Sequence, residues 1–277
     1  MSYKTILVSV DASTTTARTL GVALELADRF DGHLIGLHVR PRFQVPAFTD
    51  GTFAMDALYK AHDDKVRSDE AAATSIFKKA IGTRGSEWRV IDGFVEDELA
   101  IAARYVDLVV AGQADVNAPS AMVPTDLAEQ VALTTERPVL VVPHTGPTKP
   151  PGKTVLLCWN ASREASRAAT AAMPLLKKAD KVVVLTIDAK SSARGHGAEP
   201  GADVAKWLTR HGVKVTVQRD TAADNDIGAT ILSRAADHDA DLIVMGIYGH
   251  SRLREFVLGG ASRTLLASMT APVFMAH

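Results

Sequence analysis

Between Asp241 and Arg263 the chain concentrates the residue types that can hold an anion. An apolar run reads as a buried strand that delivers the chain to Gly246, and a helix is expected to open at about Gly260. Gly246, Gly249, Gly259 and Gly260 remove the Cβ atoms that would keep backbone amides away from a ligand. Amides in the first turn of the following helix point outward, and the helix dipole favours negative charge there. His250, Arg252, Arg254 and Arg263 add positive charge. The chemistry this pattern suits is the cradling of phosphate groups. A tight turn built on structural glycines is the alternative reading of the same residues.

Other candidates for chemistry are weaker. Gly152-Lys153-Thr154 superficially suggests a P-loop, but Pro147 stands where the earlier glycine is required. The triplet also leads into a strand rather than opening a helix. The nine histidines form no His-Glu-x-x-His pattern, so no metal site is expected. Cys158, the single cysteine, falls inside a predicted strand and reads as an inert packed thiol. Trp159 either stacks on a base or packs on the sheet edge. No carboxylate pair and no Ser-His-Asp or Cys-His arrangement meets at a predicted strand end, so no catalytic residue is assigned.

The elements that must position the loop come in two copies. Thr5 to Ser13 matches Thr154 to Ser162 at a constant offset, which places Asp11 on Asn160 and Arg18 on Arg167. Asp107 to Gly112 matches Asp241 to Gly246, and without a gap Arg137-Pro138-Val139 falls on Ala271-Pro272-Val273. Between the copies lies Pro143 to Gly152, with four prolines and two glycines, a stiff linker. The expected domains are 1–144 and 153–277, with a linker at 145–152.

Strands are expected at 4–10, 33–39, 87–91, 107–111 and 138–142, with helices at 14–30, 56–81, 95–105 and 122–134. In the second copy strands are expected at 153–158, 181–187, 213–218, 241–245 and 272–276, with helices at 163–177, 202–211, 226–238 and 260–269. Continuous apolar runs such as Val182 to Leu185 suit strands covered on both faces. Alternating β and α elements imply α/β architecture: two tandem doubly wound open parallel sheets, Rossmann-like, of five strands each. Ligands are favoured at the carboxyl ends of such strands. The closing strands, Pro138 to Val142 and Pro272 to Ala276, are exposed apolar edges, and their pairing would make an internal pseudo-dimer. The first copy carries an extra segment from Pro41 to Gly51, a lid, a docking loop or a packed surface excursion. Lys190 to Gly201 reads as mobile.

The loop resembles the phosphate-binding signature of universal stress proteins: glycine, two residues, glycine, nine residues, glycine, then Ser or Thr. Gly246, Gly249 and Gly259 satisfy the spacing, and Gly260 takes the hydroxyl position with Ser262 close behind. The whole chain is similar to that family's fold in two copies, and Gly249-His250-Ser251-Arg252-Leu253-Arg254 looks like its tandem bacterial members. The resemblance implies a stress-response sensor or regulatory module that binds ATP or a related adenine nucleotide, with or without Mg. It implies contacts from Asn160 and Ala161 after the first strand and from Ile187 and Asp188 after the second. Met245, Gly246, Gly249, His250 and Arg252 would contribute from the loop, and Gly259, Gly260, Ala261 and Ser262 from the opening of the last helix. The family's first strand ends in an Asp that meets the nucleoside; here Asn160 replaces it, retaining hydrogen bonding without charge.

Carried back into the first copy, Gly249 falls on Asp115, Gly259 on Thr125 and Gly260 on Asp126, so carboxylates stand where phosphates would sit. That copy reads as degenerate, with Asp11 in a turn or helix cap. A bulky residue at Gly246 or Gly259 is expected to abolish binding with the fold intact, and a change at Thr125 to leave affinity untouched.

Net charge is −1, from 31 basic and 32 acidic residues, so neither nucleic acid nor an anionic membrane is expected as a partner. The chain lacks a secretory h-region and an 18–20-residue apolar run, and a cytoplasmic, soluble protein is expected. An unidentified protein partner and a homodimer of whole chains are further expectations. A nucleotide-free interaction scaffold, or a slow ATPase or nucleotidyl-transfer enzyme, are the competing functions.

Overall fold

The computed structural model describes residues 2–43, 52–115, 126–147, 149–190, 196–222, 224, 226–247 and 260–277. Gly249, His250, Arg252, Arg254, Gly259 and Thr125 lie outside the described residues, as do 44–51 of the extra segment and 191–195. The first half runs β1 (Thr5–Ser9), α1 (Thr16–Phe30), β2 (His33–Pro41), α2 (Thr52–Ile81), β3 (Glu87–Gly93), α3 (Val95–Ala103), β4 (Leu108–Gly112), α4 (Leu127–Thr134) and β5 (Val139–Val142). The second runs β6 (Thr154–Cys158), α5 (Arg163–Ala171), α6 (Met173–Leu176), β7 (Lys181–Ile187), α7 (Ala202–Arg210), β8 (Val215–Asp220), α8 (Ile227–Asp237), β9 (Leu242–Gly246), α9 (Gly260–Ser268) and β10 (Val273–Ala276).

All ten strands join one sheet in the order β3-β2-β1-β4-β5-β10-β9-β6-β7-β8. Within each half the pairings are parallel, and the period-2 pleat divides each strand between two cores. Ile6, Val8, Val155 and Leu157 face the core under α1, α2, α5 and α7, while Leu7 and Leu156 face the core under α3, α4, α8 and α9. The closing strands meet as antiparallel neighbours, with Val141 opposite Val273, Leu140 opposite Phe274 and Val139 opposite Met275. All six of these side chains are fully buried. The expected edges have become the centre of the sheet, in the internal pseudo-dimer that the repeat implied.

Matching carboxylates fasten the strand entrances. Asp107 accepts the amides of Lys4 and Thr5 at 2.8 and 2.9 Å, and its own amide donates to the Thr5 carbonyl at 2.8 Å. Asp241 repeats the device, accepting from Gly152 at 2.6 Å and from Thr154 at 3.0 Å while donating to the Thr154 carbonyl at 2.9 Å.

Four expectations move. The helix expected at 122–134 runs over Leu127–Thr134, with Asp126 at its N-cap, a position that favours Asp. The helix expected over 163–177 is two helices, because Pro174 has no N–H for the Thr170 carbonyl and its ring crowds that carbonyl. The strand expected at 213–218 lies at 215–220, because the Val213 amide closes the turn after α7 by donating to the Leu208 carbonyl at 3.1 Å. The helix expected from 56 begins at Thr52. Of the extra segment, Pro41 ends β2, and Phe43 packs on α2 through Tyr59 and His62, with ring centroids 4.3 and 5.2 Å apart.

Tyr3 ties the halves across the seam. Its ring lies edge-on to Phe30 at 5.0 Å, and its hydroxyl donates to the Ala171 carbonyl at 2.7 Å. Burial, with Asp107 nearby, holds its phenol well above the ordinary range, so it remains a donor across physiological pH. Tyr3→Phe leaves that half-buried carbonyl without its partner and should cost about 1 kcal/mol in a urea unfolding titration. An unchanged midpoint would show the bond to be dispensable.

Candidate functional site

β6 lies between β7 and β9, so the chain leaves it in one direction while β9 returns on the other side. The crevice beyond the carboxyl ends of β6 and β9 is therefore the topological switch point of the second half. The registers Cys158–Leu185 and Leu157–Val244 bring Asn160, Ala161, Ile187, Asp188, Met245 and Gly246 to one sheet edge.

After β6 the backbone turns sharply. The Ser162 amide donates to Asn160 Oδ1 at 3.1 Å, and Ser162 Oγ then caps α5 by accepting from the Ala165 amide at 3.1 Å. Ala161 between them has φ +58°, and Asp188 at the end of β7 has φ +50°. Left-handed backbone at residues with a Cβ is costly, and here it occurs twice along one edge. In the first half the Ser13 amide donates to Asp11 Oδ1 at 2.8 Å, so Asp11 and Asn160 serve the same turn. Asn160 keeps the oxygen that the turn needs and exchanges the second carboxylate oxygen for an N–H donor.

Gly246 is a packing residue. A Cβ there would stand 2.5 Å from the Ala165 nitrogen and 2.5 Å from the Glu164 carbonyl carbon, both backbone atoms of α5. The expectation that a bulky residue at Gly246 leaves the fold intact is therefore corrected. At Gly112, its repeat counterpart, the nearest atom is the side-chain Thr19 Oγ1 at 2.9 Å.

Gly260 is the first residue of α9 and is exposed, with open space where a Cβ would stand. Ser262 is only 4% exposed, so its hydroxyl is buried where the Gly260 position is open. Behind this turn Gly228 of α8 approaches so closely that a Cβ would lie 2.8 Å from the Ala261 carbonyl oxygen. At the far end of α9, Gln113 of the first half donates Nε2 to the Leu266 carbonyl at 2.6 Å. Its Oε1 accepts from the amide and from Nδ1 of His144, each at 3.0 Å. No sequence motif marks Gln113 or Gly228, since both act through contacts between distant segments. Arg263 has Glu129 of α4 nearby: burial raises the Glu129 carboxyl, and the guanidinium pulls it down. Part of the positive charge assigned to Arg263 is thus answered within the protein.

Trp159 is half-buried and packs against the core. Among the described residues no cluster of His, Cys, Asp and Glu could hold a metal ion, and no helix is long and apolar enough to cross a membrane. Cys158 packs beside the opposite core, and burial pushes its thiol up to about 12. Cys158 is only partly buried, so Ellman's reagent at pH 8 should label it far more slowly in the native protein than after denaturation; equally fast labelling would contradict this placement. Gly246→Ala should lower unfolding stability by about 1–3 kcal/mol through overpacking, and by more than Gly112→Ala does. Equal effects would show that α5 yields.

The sequence profile of the universal stress protein family matches residues 2–143 and 152–277. No curated protein sequence matches the chain. Among solved structures, a universal stress protein from Archaeoglobus fulgidus DSM 4304 aligns over 100% of this chain and 99% of its own at 16% identity, with a TM-score of 0.72. A functionally unknown protein from Pseudomonas aeruginosa PAO1 aligns over 99% and 92% at 14% identity, with a TM-score of 0.56. A universal stress protein in complex with cAMP aligns over 51% of this chain and 98% of its own at 22% identity, with a TM-score of 0.36. With its profile filling both halves of the ten-stranded sheet, the chain belongs to the universal stress protein family.

Proposed function

We propose that the second half binds an adenine nucleotide, ATP or a close relative, in the crevice between β6 and β9, and that occupancy regulates a protein contact in a stress response. The observation that carries this reading is the opening of α9 at that crevice on an exposed glycine with free space around it. A helix N-terminus so placed, at the carboxyl edge of the switch point, favours a phosphate. The spacing of Gly246, Gly249 and Gly259 and membership of the family support the ligand class. Asn160 Nδ2 supplies a donor for the nucleoside, the turn having taken Oδ1.

In this reading the first half does not share the site. Asp126, on the repeat position of Gly260, stands at the N-terminus of α4, where its own carboxylate answers the helix dipole. The cavity beside Asp11 is about 20 Å³, room for a water rather than a nucleoside. His38 lines that cavity and is buried, its Nδ1 2.9 Å from the Val10 carbonyl oxygen; the second half has the smaller Thr186 at the matching place. A nucleotide-free scaffold is the second reading, favoured by the buried Ser262 and by Asn160 in place of Asp.

Calorimetric titration of ATP, ADP and AMP into ligand-stripped protein, with and without magnesium, separates these readings. One site per chain is expected. Gly260→Ser restores the family hydroxyl in open space and should tighten binding by about three- to tenfold, the worth of one added hydrogen bond. Absence of binding in both the wild type and Gly260→Ser would favour the scaffold. Phosphate release during the titration would establish the slow ATPase.

A further inference from the structure

The net charge of −1 divides unevenly along the chain. Residues 1–144 carry 20 acidic and 14 basic side chains, whereas residues 145–277 carry 12 and 17. Part of that surplus gathers at the amino edge of the second half. Lys153 precedes β6, Lys181 opens β7 and Lys214 precedes β8, three neighbouring strands of the sheet. The backbone sets them side by side. The amides of Asp180 and Lys181 donate to the Lys153 carbonyl at 2.9 and 3.1 Å, and the Val182 amide donates to the Lys214 carbonyl at 2.8 Å. With strands about 4.8 Å apart, the row spans about 10 Å. Lys177, just past α6, and Arg210, the last residue of α7, come to the same edge. All five are exposed, and none pairs with a carboxylate among the described residues. The nearby acids leave them a clear excess. Asp180 is exposed, but Asp241 is held by the amides of Gly152, Lys153 and Thr154, and Asp239 pairs with Lys149.

The first half shows the same edge in balance. Lys4 and His33 hold the places of Lys153 and Lys181. There Lys4 pairs with Asp31 at 3.0 Å, His33 faces Glu87 at 3.9 Å, and Arg84 pairs with Asp28.

We propose that the amino edge of the second half binds the phosphodiester backbone of a nucleic acid without reading its sequence. The balanced net charge, which argued against such a partner, averages two halves of opposite sign. Contacts to phosphates are ionic and need no apolar centre. A protein interface is built around an apolar core, and a membrane-surface anchor needs an apolar face. Among the described residues, none of the exposed large apolar side chains stands at these strand entrances. The crevice beyond β6 and β9 lies at the other end of the same strands, so this edge and a nucleotide there do not compete for space.

The test is the anisotropy of a short fluorescein-labelled DNA duplex of mixed sequence, titrated with the intact protein. Saturable binding is expected at low salt. Raising the salt from about 50 to about 200 mM should weaken it by about 40- to 150-fold, as three or four neutralised phosphates require. Lys181→Gln combined with Lys214→Gln should weaken binding by about tenfold or more at the lower salt. Lys181→Arg with Lys214→Arg keeps both charges and should retain it. Lys4→Gln with Arg84→Gln makes the same change of charge on the balanced edge and should leave affinity unchanged. Absence of saturable binding to the wild type, or equal weakening by the two glutamine pairs, would overturn the proposal. So would tighter binding of a polyglutamate peptide or of phosphatidylserine vesicles than of the duplex, since an acidic protein or a membrane would then be the occupant.

Discussion

The antiparallel contact between β5 and β10 is the constraint from which the rest of the molecule follows. Each half, taken alone, would end its sheet on a four-residue apolar strand with an unpaired row of backbone groups. Pairing Val139–Val141 with Val273–Met275 satisfies both rows at once and buries six apolar side chains. Because the contact is antiparallel, the carboxyl edges of the two halves point in opposite directions. The linker must then travel from the exit of β5 to the entrance of β6 along the flank of α1, and it is held there by Arg18 and Arg29.

That geometry also makes each half part of the other's support. Tyr3 reaches from the entrance of β1 to the last carbonyl of α5. Gln113, just beyond β4, holds the carboxyl end of α9, whose first residue is the exposed Gly260. The helix that would meet a phosphate at one end is therefore anchored by the first half at the other. The first half, with Asp115, Thr125 and Asp126 at the repeat positions of Gly249, Gly259 and Gly260, thus still supports the second.

Much of the fold was legible in the residues. Continuous apolar runs and a repeat within each matched block locate the inner strands and their parallel order, since strands between two helical layers leave no polar face to confuse the pattern. The outermost β8, by contrast, is polar, and its expected bounds slipped by two residues. Pro174 carried its own signal of a helix break, which the periodicity around it masked. The site was legible only in part. The turn at Asn160 follows from its type, but the packing role of Gly246 depends on how closely α5 crosses β9, a distance that no local pattern encodes. Gln113 and Gly228 are silent in sequence for the same reason. Gly249, His250, Arg252 and Gly259 fall outside the described residues, so the loop itself rests on its spacing.

The asymmetry of the halves is the central claim, and amide chemical-shift mapping during an ATP titration tests it most directly. The account predicts shifts at Asn160–Ser162, Ile187–Asp188, Met245–Gly246 and Gly260–Ser262, with Asp11–Ser13, Gly112 and Asp126 unmoved. Comparable shifts at Asp11 and Asp126, or none at Gly260, would contradict it.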